Sequence, residues 1–216
     1  MYIMHILELY ERITGFYGPQ NWWPAETPFE VVVGAILTQN TAWRNVEKAI
    51  GNIKREALLD PKIIVNTPDD VLCKLVRPAG FYNQKARRLK AVCKLIEDYG
   101  GLEELFKLPL SELRSELLSV KGIGPETADA IILYAANKAT FVVDRYTHRI
   151  FTRLGIWDGG YDYEGIKIFV ERQIEPRLDV YKDFHAALDE HAKQICRKNP
   201  LCDSCPLKDS CRYWLK

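Results

Sequence analysis

Four cysteines near the end of the chain stand in a chemically meaningful pattern, Cys196-x5-Cys202-x2-Cys205-x5-Cys211, all within 16 residues. In a reducing compartment such a group points to a metal rather than to disulfides, because four neighbouring thiolates need a cation to offset their charge. Structural zinc sites usually pair two C-x2-C knuckles. Only one stands here, flanked by wider gaps. Wide gaps suit the corners of a [4Fe–4S] cubane better than the vertices of one tetrahedral ion, so the spacing favours iron–sulfur over zinc. Cys73 and Cys93 fall among apolar residues at helical spacing and read as buried small hydrophobes.

A second device is Lys121-Gly122-Ile123-Gly124-Pro125-Glu126, set between two amphipathic stretches. With no preceding strand and no third glycine it is not a dinucleotide fingerprint. Two glycines let backbone N–H groups approach a ligand closely, and Pro125 opens a helix whose N-terminus attracts anions. Gly122, Ile123 and Gly124 could therefore grip a phosphate without reading sequence, with Lys121 adding charge. A plain helix–helix turn has the same signature. Further on, Asp144 follows the apolar run Phe141-Val142-Val143 and precedes a helical pattern. An N-cap is the commoner reason for an Asp there.

The elements that must position these residues are helices. Apolar residues recur every three or four positions in 3–13, 29–37, 46–53, 71–75, 86–99, 102–105, 113–120, 127–136, 145–154, 163–173 and 180–195. Thr67-Pro68-Asp69-Asp70 predicts a helix start, with Thr67 as cap and Pro68 in the first helical position. Strand-like alternation is scarce, and Phe141-Val142-Val143 is too short to build a sheet. The expectation is an all-α fold of about ten short helices with the cysteine loop as a C-terminal staple.

Composition agrees with a packed chain. The 216 residues are 47% hydrophobic and 27% charged, which excludes a disordered or low-complexity protein. No apolar run approaches the ~20 residues that span a bilayer. The N-terminus lacks a basic leader region, so a cytoplasmic protein is expected. Net charge is +1, and a resting cluster on four thiolates would bring it to about −1. Nothing global suggests a polyanion as partner, so the positive potential must be local. Lys85, Arg87, Arg88 and Lys90 place cations along one helix, and Lys193, Arg197 and Lys198 lead into the cysteine loop. Either group could be a solvated face or a set of phosphate contacts.

Taken in order, these features resemble the helix–hairpin–helix DNA glycosylases of the endonuclease III superfamily. The likeness runs from Pro28-Phe29-Glu30 through Leu37-Thr38-Gln39-Asn40-Thr41, Gly80-Phe81-Tyr82-Asn83-Gln84-Lys85-Ala86, the hairpin and Val143-Asp144 to the cysteines. One departure is the first cysteine gap, five residues where the family usually has six. The resemblance implies a two-lobed fold, with 26–138 as a helical barrel domain holding the hairpin. Residues 1–25 and 139–216 would form a terminal domain with the [4Fe–4S] loop. It also implies base excision from double-stranded DNA by a monomer, acting on a damaged base flipped into a pocket between the lobes. By position, Asp144 would be the catalytic carboxylate, stabilising an oxocarbenium-like sugar and orienting water. Gln39 or Asn40 would fill the gap left by the flipped base, and Phe81 would wedge into the opposite strand. Bland alternatives are a core Phe81 and a capping Gln39 or Asn40.

A second departure is chemical. Relatives that also nick the strand have a lysine two residues after the second glycine, whose amine forms a Schiff base with C1′. Here that residue is Glu126, which cannot form an imine, so the expected enzyme is monofunctional. Asn21-Trp22-Trp23-Pro24 and Trp43 offer electron-rich faces suited to a cationic alkylated purine. They look like the 3-methyladenine branch of the superfamily, in which Trp22, Trp23 and Pro24 would line the base pocket with Glu126, and Trp43 would stack on the base. The two tryptophans could instead simply pack the lobes together. Competing expectations are a glycosylase with lyase activity on oxidised pyrimidines, a mismatch glycosylase, or a non-catalytic iron–sulfur DNA-binding module.

Overall fold

A computed structural model describes residues 4–20 and 22–215. Twelve α-helices and no strand are found among the described residues. They are α1 (Ile6–Tyr17), α2 (Pro28–Leu37), α3 (Trp43–Arg55), α4 (Pro61–Asn66), α5 (Asp69–Val76) and α6 (Tyr82–Asp98). There follow α7 (Leu102–Lys107), α8 (Leu110–Ser119), α9 (Pro125–Tyr134), α10 (Arg145–Leu154), α11 (Tyr163–Glu171) and α12 (Leu178–Gln194). The chain divides into two compact units. A central unit is Ala25–Lys138, and a terminal unit joins Met1–Pro24 to Ala139–Lys216.

The helix count exceeds the expected ten because α4 carries little apolar periodicity. Asp60-Pro61 reads as a turn, yet Asp60 accepts a bond from the Ile63 N–H (3.0 Å) and Pro61 fills the first helical position. That is a complete N-terminal signature. The start of α5 also differs. Thr67 does not cap it; its hydroxyl donates back to the Ile63 carbonyl (2.8 Å) and closes α4, leaving Pro68 as the residue before α5.

In the central unit, α2 is the innermost element: every residue from Phe29 to Leu37 is buried. Thr27 caps it by accepting from the Glu30 N–H (3.1 Å), and Pro28 is at N1. Helices α3, α6 and α9 pack around it. Its buried Glu30 carboxylate is held by the Glu26 N–H (3.0 Å) and by Lys54 (2.9 Å). α8 and α9 are joined by a two-pronged ion pair, Arg114 to a wholly buried Asp129 (2.8 and 3.1 Å). In the terminal unit α1 packs on α12, with Tyr10 edge-on to Phe184 (5.6 Å between centroids). Phe141 packs against the same Phe184 and Tyr181.

The Arg114–Asp129 pair yields a stability prediction. Removing one partner strands a buried charge, so Arg114→Met should destabilise the protein by about 3–5 kcal/mol. A urea titration reads this directly. Adding Asp129→Leu should restore part of the loss, because no uncompensated charge then remains.

Candidate active site

The turn between α8 and α9 distinguishes its two glycines. Gly122 has φ +95°, and a Cβ there would overlap the Arg88 side chain, so both backbone and space demand glycine. Gly124 is extended (φ −97°, ψ 176°), a conformation open to any residue. Nothing lies within 4 Å of a Cβ built at Gly124. Its missing side chain therefore leaves the N-terminus of α9 open to approach, where Pro125 is the first helical residue. Ile123 is buried beneath the turn, while Lys121 and Glu126 are exposed on either side of it.

Gln39 belongs to this turn. Its amide nitrogen donates to the Gly122 carbonyl (3.2 Å) and the Thr127 hydroxyl (2.9 Å), and its oxygen accepts from Arg88. The Gln39 carboxamide thus brackets the hairpin and is not a helix cap. The neighbouring Asn40 is exposed, with φ +54°. Phe81 is not core: it is 62% exposed and precedes α6 with φ +46°. A non-glycine residue there is strained by roughly 1 kcal/mol. The structure also corrects the reading of the α6 cations as one face. Lys85 is wholly buried, Arg88 holds Gln39, Lys90 pairs with Asp69, and Arg87 is exposed. Cys93 is buried as expected. Cys73 is half-buried instead, its thiol donating to the Asn83 side-chain oxygen (3.4 Å) beside a surface groove between α5 and α6. Trp43 opens α3 and donates from its indole to Glu47 (2.9 Å).

Asp144 stands in the terminal unit, as the N-cap of α10. Its Oδ1 accepts from the Thr147 N–H (2.7 Å) and the Thr147 hydroxyl (2.8 Å), and the Thr147 oxygen accepts in turn from the Asp144 N–H (3.5 Å). This capping box fixes the carboxylate's direction through one oxygen and leaves Oδ2 outside the cap. The cap reading of Asp144 and a chemical role are therefore compatible. Trp22, Trp23 and Asp144 are related through a residue the sequence reading missed, His185. The Trp22 ring lies 5.2 Å from Trp23 and 5.3 Å from the His185 ring. Lys193 lies 5.9 Å from the Trp22 ring and pairs with Asp189. Burial pushes the His185 pKa down, against the opposing pull of Asp144 and Asp189. Burial likewise pushes the Asp189 carboxyl up, with Lys193 opposing. His185, Asp189 and Lys193 recur every four residues on α12, amid Ala186, Ala187, Leu188 and Ala192. That polar stripe was the available signal. Pro24 is exposed at the end of this segment.

All four C-terminal cysteines line one pocket of the terminal unit, with Ile150, Leu154, Ile195 and Leu207 as apolar walls. Among the described residues no three His, Cys, Asp or Glu side chains converge closely enough for a single metal ion. Burial, with the other three cysteines adding to it, pushes the Cys205 pKa up to about 11, so the thiol keeps its proton until a cation displaces it. Four sulfur donors lining one pocket suit a thiolate-bound metal group. α10 braces the loop. Arg149 donates to the carbonyls of Cys196 (2.9 Å) and Ala192 (3.2 Å), and Arg153 to those of Arg197 (2.6 Å) and Lys198 (3.0 Å).

Residues 33–176 match the profile of the HhH-GPD superfamily base excision DNA repair proteins. A Methanocaldococcus jannaschii protein with the provisional name DNA repair glycosylase MJ1434 is 52% identical over 209 residues, 95% of each chain. The solved 3-methyladenine DNA glycosylase of H. pylori, bound to 1,N6-ethenoadenine, superposes with TM-score 0.79 and 31% identity. That match covers 88% of this chain and 98% of the other. An endonuclease III–DNA complex superposes with TM-score 0.83 over 97% of this chain and 95% of the other. At 22% identity it establishes the shared all-helical fold.

Gly122→Ala tests the turn. The strained φ and the overlap with Arg88 should displace the Gln39 bracket and weaken affinity for undamaged duplex DNA by about tenfold or more, equivalent to 1.4 kcal/mol. Fluorescence anisotropy at fixed salt would measure it, with circular dichroism checking that helix content is retained.

Proposed function

The chain belongs to the HhH-GPD superfamily of base excision DNA repair proteins, and from that premise we propose a monofunctional glycosylase that releases alkylated purines such as 3-methyladenine from duplex DNA. The observation that carries this reading is the cluster of Trp22, Trp23 and His185, whose imidazole feels the charge of Asp144. Electron-rich aromatic faces attract a flat cation, and a purine alkylated on a ring nitrogen is one. Its leaving tendency is already high, so the protein needs mainly to hold it and stabilise the sugar.

The reaction follows from these groups. The bond between C1′ and the base nitrogen breaks, and its electron pair neutralises the departing cationic purine. Positive charge develops on the sugar, where the Asp144 carboxylate opposes it. Water then attacks C1′ and gives up its proton, with Asp144 Oδ2 as the acceptor left outside the cap. The hairpin backbone at Gly122–Gly124 would hold a phosphate of the same strand, and Asn40 and Phe81 would occupy the space vacated in the duplex. Glu126 stands where an imine-forming lysine would be needed, so strand cleavage is weak or absent. Cys196, Cys202, Cys205 and Cys211 would hold a [4Fe–4S] group, which supplies a fixed charged node for the loop beside α10 and no step of the hydrolysis.

Methylated duplex incubated with the protein should yield free 3-methyladenine, and borohydride should trap no covalent DNA complex. Asp144→Asn should lower release at least ~10³-fold with DNA binding retained. A trapped imine would point to a lyase, and no release from any lesion would point to a binding module. The cysteine set has its own check: protein purified without oxygen should contain about four irons and absorb near ~400 nm, and Cys205→Ser should lose the band. A colourless protein containing one zinc would overturn the cluster.

A further inference from the structure

Lys85 has no part in the chemistry above, yet its placement is unusual. It lies in the first turn of α6, where a cation opposes the helix dipole. It is 0% exposed. Its hydrogen bonds run to main-chain carbonyls: Nζ donates to the Leu37 oxygen (2.8 Å) and the Ala79 oxygen (2.7 Å). Burial, reinforced by the charge of Arg88, lowers its pKa to about 8. An interior amine so unfavourably placed calls for a compensating role.

The two carbonyls supply it. Leu37 is the last residue of α2, and Ala79 is the last residue of a one-turn 3-10 helix, Arg77–Ala79. Both are helix C-termini, whose carbonyls lack intrahelical partners and carry partial negative charge. One ammonium thus joins two helix ends from distant parts of the sequence. Each segment then leads to an exposed residue. Asn40 comes three residues after Leu37 and Phe81 two after Ala79, each with left-handed backbone (φ +54° and +46°). Strained conformations persist only where the surroundings over-determine them. Lys85 is the side chain that fastens both segments just before the strain begins.

We infer that Lys85 is a positioning residue, whose amine sets the spacing of the Asn40 and Phe81 loops so that both enter a duplex at one disrupted base pair. This rests on the proposed entry of those two residues into DNA. The group recognised is a gap in base stacking; Lys85 itself touches no DNA.

The test compares the full-length wild type with Lys85→Met, Lys85→Arg, Phe81→Ala and the Lys85→Met/Phe81→Ala double variant. Each binds two labelled duplexes, one with a central tetrahydrofuran abasic analogue and one undamaged, well below its unfolding temperature. Lys85→Met should reduce the preference for the abasic duplex by about tenfold or more, with affinity for undamaged duplex within about twofold of wild type. Lys85→Arg, which keeps charge and donors, should recover part of it. The double variant should be no worse than Phe81→Ala, because both changes remove the same insertion. A merely structural lysine would lower the melting temperature and leave the preference intact, and that result overturns the inference. Losses that multiply in the double variant overturn it too. If Lys85→Met does not fold, Lys85→Gln takes its place in the same comparison. Preserved preference in Phe81→Ala would refute the insertion reading and the role of Lys85 with it, whereas base release by Asp144→Asn reports on the glycosylase reading separately.

Discussion

Every α-helix among the described residues is short, between 6 and 17 residues, so much of the backbone lies at helix ends. Each end presents up to four N–H or four C=O groups with no intrahelical partner. Satisfying them is the constraint on which the architecture depends. Thr27, Asp60, Asp144 and Asp162 accept N–H groups at the starts of α2, α4, α10 and α11. Lys85 takes carbonyls at the ends of α2 and of the Arg77–Ala79 turn, and Arg149 and Arg153 take those at and beyond the end of α12. Lys85, Arg149 and Arg153 also join segments far apart in sequence.

The same ends carry the chemistry. A helix interior presents side chains on a surface, whereas an end also presents aligned main-chain dipoles. Asp144 is both a cap and a carboxylate held through one oxygen, so its rotamer is set by folding itself. The hairpin offers main-chain donors at the start of α9, where the absent Gly124 side chain keeps them accessible. Gln39 turns the loop after α2 into part of that hairpin by holding Gly122 and Thr127 together. Rigidity at these points follows from ordinary capping rather than from a separate scaffold.

Much of this was legible in the sequence, for identifiable reasons. The glycine hairpin, the Asp144 start and the cysteine spacing are local patterns, and local patterns survive without coordinates. Helix α4 was missed although Asp60 and Pro61 announce it, because six residues hold too little periodicity to outweigh a turn signal. Lys85 was misread for its charge: it falls on the stripe Lys85, Leu89, Val92, Ile96 that α6 turns inward. Helical spacing places Lys85 inward, against the usual preference of lysines for water. His185 packs against Trp22 from a segment remote in sequence and feels the charge of Asp144. No single window of sequence contains that arrangement, so only the fold could disclose it.

The terminal unit is assembled from both arms of the chain, and this bears on how the protein is made. Helix α1 packs on α12, from which it is separated by roughly 160 residues. At about 5–20 residues per second on the ribosome, α1 waits on the order of ten seconds or more for its partner. Throughout that interval the entire central unit emerges and can fold, while Ile6, Leu9 and Ile13 of α1 have no final apolar surface to cover them. The nascent chain therefore carries the sticky face of α1 through that interval, and the emergence of α12 is what retires it.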